Sequence, residues 1–128
     1  MTGDELSTLS KDYLIGFVEA EGTLTSNISK TGKKYLQFSI SQADERLIRK
    51  VEKSLPVDGG CVAGYDSRCG GEKVWRYSTC RKEDIARLIR FFDGEFESEN
   101  KCGQLDEWRE VFKVWNERGK RIELKEKV

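Results

Sequence analysis

The residues best placed to do chemistry in this chain are two carboxylates near its start. Residues 13–22 read Tyr-Leu-Ile-Gly-Phe-Val-Glu-Ala-Glu-Gly. In a helix, Gly16 and Ala20 share one stripe, flanked by Leu14, Phe17 and Val18, which would pack against the core. Small residues on a stripe let a second helix approach more closely than the usual ~8–10 Å. Glu19 and Glu21 are two apart and project to nearly opposite sides. Glu21 falls at the helix C-terminus, where the dipole is negative and a carboxylate costs roughly 0.3–1 kcal/mol. If two such helices pack together, their Glu21 carboxylates also repel. A divalent cation between them reverses both penalties. The alternative is a helix-end glutamate standing in water, and the residue types alone favour it. The chain has no histidine. Metal chemistry here must therefore use carboxylates and a hard cation such as Mg²⁺, with Mn²⁺ or Ca²⁺ as substitutes.

Other clusters are less suited. Cys61, Cys69, Cys80 and Cys102 contain no C-x-x-C pair, so reduced loop or core thiols are expected rather than a zinc site. Cys61 and Cys69 could face each other across a hairpin, which the sequence leaves open. Asp93, Glu95, Glu97 and Glu99 alternate, but a calcium loop starting at Asp93 needs Gly and Glu where Ser98 and Gln104 stand. This is read as a solvated acidic loop.

The elements that must position these residues follow from periodicity. A helix from about Ser7 or Ser10 to Ala20 is ended by Gly22. Thr23–Ser29 and Tyr35–Ser41 alternate apolar and polar residues about a Lys-rich turn at 30–34, which predicts a hairpin. Leu24, Ile28, Leu36, Phe38 and Ile40 fall on its core side. Asp44 can cap a helix carrying Leu47, Ile48, Val51 and Leu55. A second hairpin joins Cys61–Tyr65 to Lys73–Thr79. Further helices are expected over Lys82–Phe92 and about Gly103–Trp115. The order α-β-β-α-β-β-α-α predicts an α+β fold, one antiparallel sheet with helices on one face. With 128 residues the chain reads as one domain, 1–128, whose residues 116–128 form a charged, partly frayed tail.

Apolar residues make up 37% and charged residues 36%, so the surface must be heavily charged. No apolar run reaches the ~18 residues of a membrane span. The start, Met1 to Ser10, is polar and acidic, unlike a secretory leader. A cytoplasmic location is expected in a prokaryote, and an organellar or nuclear one in a eukaryote. Net charge is zero, at first sight a poor match to nucleic acid. Its distribution is uneven, however: residues 23–42 and 61–82 each carry +3, while residues 1–22 carry −4 and 83–110 carry −5. The two basic segments are the two hairpins. Their polar face carries Thr25, Asn27, Ser29, Tyr35, Gln37, Ser39, Arg68, Lys73, Arg76 and Ser78, and Lys30, Lys33 and Lys34 lie at the first turn. Such a face can simply be solvated. It also has what a β-ribbon needs to read double-stranded DNA: donors and acceptors for base edges, and cations for phosphates.

The segment Leu14-Ile15-Gly16-Phe17-Val18-Glu19-Ala20-Glu21-Gly22 resembles the LAGLIDADG motif of homing endonucleases position for position, with Glu replacing Asp twice. Phe38-Ser39-Ile40-Ser41-Gln42 before a helix, and Trp75-Arg76-Tyr77-Ser78 before a helix ending Phe91-Phe92-Asp93, resemble later parts of the same family. The resemblance implies a nuclease using divalent metal and associated with intron or intein mobility. In it Glu21 is the metal ligand, Gln42 helps hold solvent or metal, Lys101 stands near the scissile phosphate, and Glu19 serves helix packing or capping. A single motif copy implies a homodimer paired through Gly16, Ala20, Tyr13 and Phe17, cutting a long pseudo-palindromic target. The alternative is a non-cutting binder on the same scaffold, an RNA-splicing maturase or a DNA-binding regulator. A resemblance of structure alone is the third possibility.

Overall fold

The computed structural model describes residues 8–66 and 72–118. Its elements are α1 (Lys11–Glu21), β1 (Gly22–Ile28), β2 (Lys34–Gln42), α2 (Glu45–Ser54), β3 (Cys61–Asp66), β4 (Lys73–Thr79), α3 (Lys82–Phe92) and α4 (Glu99–Arg118). The expected α+β order is the observed one. Ser10 starts α1, its side chain accepting from the Tyr13 backbone N–H, and Asp44 starts α2, accepting from Arg46 and Leu47. These side-chain oxygens satisfy N–H groups that the first helical turn leaves unpaired.

The four strands form one antiparallel sheet in the order β1-β2-β4-β3. Gly22 pairs with Ile40 and Leu24 with Phe38. Ile40 in turn faces Tyr77. Period-2 alternation therefore gathers Leu24, Leu36, Phe38, Ile40 and Tyr77 on one side, all buried. Leu14, Ile15 and Val18 of α1 join that layer, as do Ile48 and Val51 of α2, Ile85, Leu88 and Phe92 of α3, and Leu105, Trp108 and Phe112 of α4. Phe92 sits at its centre, its ring 5.9 Å from Phe38 and 5.0 Å from Phe96. Among the described residues no helix is long and apolar enough to cross a membrane.

Three expectations need correction. Ile28 is 66% exposed: it pairs with Lys34 at the far end of the first hairpin. Helix α4 begins at Glu99, well before Gly103. Ser98 caps it, its side chain accepting from the Lys101 N–H, so the acidic loop is shorter than expected and Gly103 lies inside the helix. At the other end α4 continues to Arg118, past Asn116. The remainder of the expected tail, 119–128, lies outside the described residues, as do Ser7, Arg68 and Cys69.

Two tertiary ties fix the frame. Asp84 is fully buried and accepts from the N–H groups of Asp58 and Gly59 and from the Thr79 hydroxyl, while pairing with Arg87. It thereby pins the loop between α2 and β3. The second tie runs along α4. Lys101 Nζ donates to Gly22 O (2.7 Å), Gln104 Oε1 accepts from Leu24 N (3.2 Å), and Trp108 Nε1 donates to Thr25 O (3.1 Å). Positions 101, 104 and 108 share a helix face, so one face of α4 holds the main chain of β1, an edge strand. Edge strands otherwise invite pairing with other chains.

Candidate functional site

Glu21 is the last residue of α1 and is exposed. The chain passes from helix to strand with no intervening loop. A Cβ at Gly22 would stand 2.9 Å from both Val18 Cγ1 and Val18 O, so glycine is required for that close approach. No basic residue occupies the last turn of α1. The negative helix end and the Glu21 carboxylate therefore reinforce one another. Among the described residues, none is bonded to that carboxylate.

Glu19 projects the other way, as its spacing implies. Its Oε2 accepts from the Glu97 N–H (2.6 Å) and the Ser98 N–H at the start of α4. The bond from Ser98, with that from Glu97, holds its carboxyl below the usual range, against some desolvation. Glu19 is thus a cap for another helix. Lys101 returns the contact: it is 5% exposed, and its ammonium lies on Gly22 O, one residue past Glu21. Burial lowers its pKa, an effect that the Glu19 charge opposes. The structure therefore brings Lys101 to the junction that carries Glu21 but turns its ammonium onto main chain.

Gln42 ends β2 and is half-buried, its Oε1 accepting from Ala43 N (2.8 Å). Because Gly22 pairs with Ile40, Gln42 stands two residues past the start of β1, at the same end of the sheet as Glu21. Glu21, Gln42 and Lys101 thus lie toward one end of the sheet, without side-chain hydrogen bonds among them in the described residues. Among the described residues no three of His, Cys, Asp or Glu gather as metal ligands. Glu21 of one copy would supply one hard carboxylate. That suits Mg²⁺, which is commonly held by one or two carboxylates together with water and phosphate oxygens.

Beside Glu21 lies the small-residue stripe. Leu14, Ile15 and Val18 are buried, whereas Tyr13, Gly16 and Ala20 are exposed and Phe17 is half-buried. The Tyr13 and Phe17 rings are 6.1 Å apart. A Cβ on Gly16 would meet nothing within 4 Å.

The far side of the sheet is the polar face. Register places Thr25 opposite Gln37, Asn27 opposite Tyr35, and Ser39 opposite Ser78, with Arg76 on the same side. Asn27 Nδ2 donates to Gln37 Oε1 (3.1 Å). Thr23, Ser41 and Tyr65 belong to this face as well, outside the expected contact set. Alternation alone puts Thr23 and Ser41 there. Tyr65 needed the parity of β3, which only its pairing with β4 reveals.

Other expected members stand elsewhere. Lys73 is three residues from Arg76, an odd step that puts it on the helix side, stacked 5.6 Å over Trp75. Lys34 shares the parity of buried Leu36 and lines an open groove with Gly32, Glu110, Val111 and Val114. Ser29 stays in the turn, where its hydroxyl bonds Thr31 and accepts from Lys33 N, leaving Lys30 and Lys33 exposed there. Arg68 lies outside the described residues.

The sequence profile of the family described as LAGLIDADG endonuclease matches residues 14–112. Solved structures with a similar fold include the homing endonuclease I-TnaI, at TM-score 0.72 and 21% identity over 88% of this chain and 77% of that one. The LAGLIDADG homing endonuclease I-GzeII in complex with its DNA target gives TM-score 0.73 and 21% identity over 92% of this chain. The intron-encoded I-CeuI complexed with DNA gives TM-score 0.64 and 18% identity over 89%. This chain spans 40% of the I-GzeII chain and 59% of the I-CeuI chain. No curated protein sequence matches significantly.

Proposed function

The chain belongs to the LAGLIDADG endonuclease family, and from that premise we propose that it is a sequence-specific double-strand DNA endonuclease acting as a homodimer. One observation carries the reading: the exposed Glu21 carboxylate ends the same helix that leaves Tyr13, Gly16 and Ala20 exposed and Phe17 half-buried. Pairing two copies along that stripe would place two Glu21 carboxylates side by side on the dyad and two polar sheet faces along one groove. A C₂ pair of this kind reads a pseudo-palindrome. The target class comes from the family and from the DNA complexes among its structural neighbours.

In this reading Glu21 of each copy would hold Mg²⁺. A bound Mg²⁺ would lower the pKa of an attacking water and offset charge on the leaving oxygen. The chain's own residues do the rest. Glu21 is presented without a loop, so its main chain is fixed by Gly22 on one side and the last helical turn on the other. Gln42, at the same end, would orient solvent through its amide. Lys101 would bring positive charge toward the scissile phosphate if its ammonium left Gly22 O on DNA binding. Thr25, Asn27, Gln37, Ser39, Arg76 and Ser78 would face base edges, and Lys30 and Lys33 phosphates.

Incubating the protein with duplex DNA carrying the flanks of its own insertion site, with and without Mg²⁺, tests this. Double-strand cuts that require Mg²⁺ are expected. Binding without cutting would support the maturase or regulator instead. Neither binding nor cutting would leave a resemblance of structure alone.

A further inference from the structure

We propose that Tyr65 and Ser41 are positioning residues that hold Arg76 as a preset fork for one guanine in each half-site, close to the catalytic end of the sheet. The inference rests on the DNA-cutting reading above and goes on to say which base is read, where, and by what geometry.

Three strands contribute. Register aligns Ser41 of β2 with Arg76 of β4 and Arg76 with Ala63 of β3, and Tyr65 lies two residues further along the same face. Arg76 is exposed, yet its guanidinium is held from both sides. Its Nε donates to Ser41 Oγ (3.3 Å), one terminal nitrogen donates to the Tyr65 hydroxyl (3.1 Å), and its central carbon stands 4.8 Å from the Tyr65 ring centroid. Surface arginines normally sample many rotamers and lose that freedom on binding; one held beforehand loses less.

One N–H on Nε and one on a terminal nitrogen are used. Of the five guanidinium N–H groups three remain, at least one on each terminal nitrogen. Two parallel donors match the O6 and N7 acceptors of guanine in the major groove, the commonest bidentate pairing of arginine with a base. A preset fork also fits a phosphate bidentately, and sequence preference is what separates the two contacts. The exposed turn lysines Lys30 and Lys33 suit phosphate, since a lysine meets it as a point charge.

Position follows from the same register. Gly22 pairs with Ile40 and follows Glu21 directly, while Ser41 and Gln42 follow Ile40 on β2, so Arg76, opposite Ser41, stands at the end of the sheet that α1 enters. In the proposed dimer the fork would lie at the dyad end of the face. The turn after Ile28 is roughly 20 Å away at about 3.3 Å per residue.

The test is a binding selection without Mg²⁺, using synthetic palindromic duplexes randomised in each half-site. Wild type, Arg76→Ala, Tyr65→Phe, Ser41→Ala and Ser41→Thr are compared. The wild type should prefer guanine at one symmetric pair of inner positions by roughly 10- to 100-fold. Arg76→Ala should abolish that preference. Tyr65→Phe and Ser41→Ala should each weaken it about 3- to 10-fold, as expected for one lost hydrogen bond, and Ser41→Thr should restore it. For Tyr65→Phe, Ser41→Ala and Ser41→Thr, which keep every charge, affinity for non-target duplex and the unfolding midpoint should not move. Intact guanine preference in both Tyr65→Phe and Ser41→Ala, or equal loss on every sequence, overturns the positioning role. A preferred guanine at the outer end of the half-site overturns the placement. Failure of the wild type to bind any duplex overturns the DNA reading itself, a result separate from these.

Discussion

The two hairpins of the sheet are built alike and finished differently. Both follow a helix, and both alternate. The first hairpin, however, is locked at its edge. Three side chains on one face of α4 reach the main chain of β1, and α1 enters that strand directly. In the second hairpin, five of the six residues of β3 are exposed and only Val62 is half-buried. In the proposed reading, chemistry that needs a carboxylate held in place would sit where α1 enters the first. Recognition, which must fit a groove, can use the second, where Arg76 gains its order from two neighbouring side chains rather than from burial.

The sharpest break of this comparison is at Glu21. Glu21→Gln keeps size and removes charge, so cutting should fall by on the order of 100-fold or more, while binding to intact target persists or tightens. Asp66→Asn, at the end of β3, should leave cutting unchanged. Nicking and gel-shift assays on one duplex read both outcomes. Full cutting by Glu21→Gln would remove the catalytic assignment.

Stability should show the same asymmetry. Trp108→Ala opens the edge of β1 and empties core volume, and should cost about 3–5 kcal/mol in urea unfolding. Val62→Ala on β3 should cost about 1 kcal/mol or less. Equal costs would mean that the first hairpin is not held more firmly than the second.

The stripe proposed to pair two copies is next. Gly16→Leu meets open space within one copy, so its monomer should fold normally. Its dimer dissociation constant should rise by roughly 30-fold or more in sedimentation, the scale of an interface hot spot. An unchanged dimer would move the interface elsewhere. The smallest effect is expected at the far tip of the first hairpin. Lys33→Ala should weaken binding to all duplexes alike and lower the salt slope by about 1. A change confined to one sequence would make Lys33 a base reader.

Much of this was legible before any coordinates. Helix and strand patterning, with Ser10 and Asp44 as caps, delivered the order of elements, and the nine residues Leu14–Gly22 delivered the family. Parity failed where a strand boundary was guessed. Lys73 and Arg76 were placed on one face although an odd step separates them, and Lys34 was counted with the turn although it opens β2. The start of α4 was missed because Gly103 looked like a boundary, while Ser98, the actual cap, stood inside a run of acids.

What the sequence determined alone is what depends on neighbours along the chain: periodicity, capping, the glycine that lets a helix become a strand, and a stripe of small residues. Tertiary structure decided every tie between residues far apart in number. Glu19 caps a helix 78 residues away, Lys101 is buried on Gly22, Asp84 pins a loop from another helix, and Tyr65 steadies Arg76 across two strands. These depend on sheet order and register. Many chain-distant pairs satisfy the same residue types equally well, and only packing of the whole core selects among them.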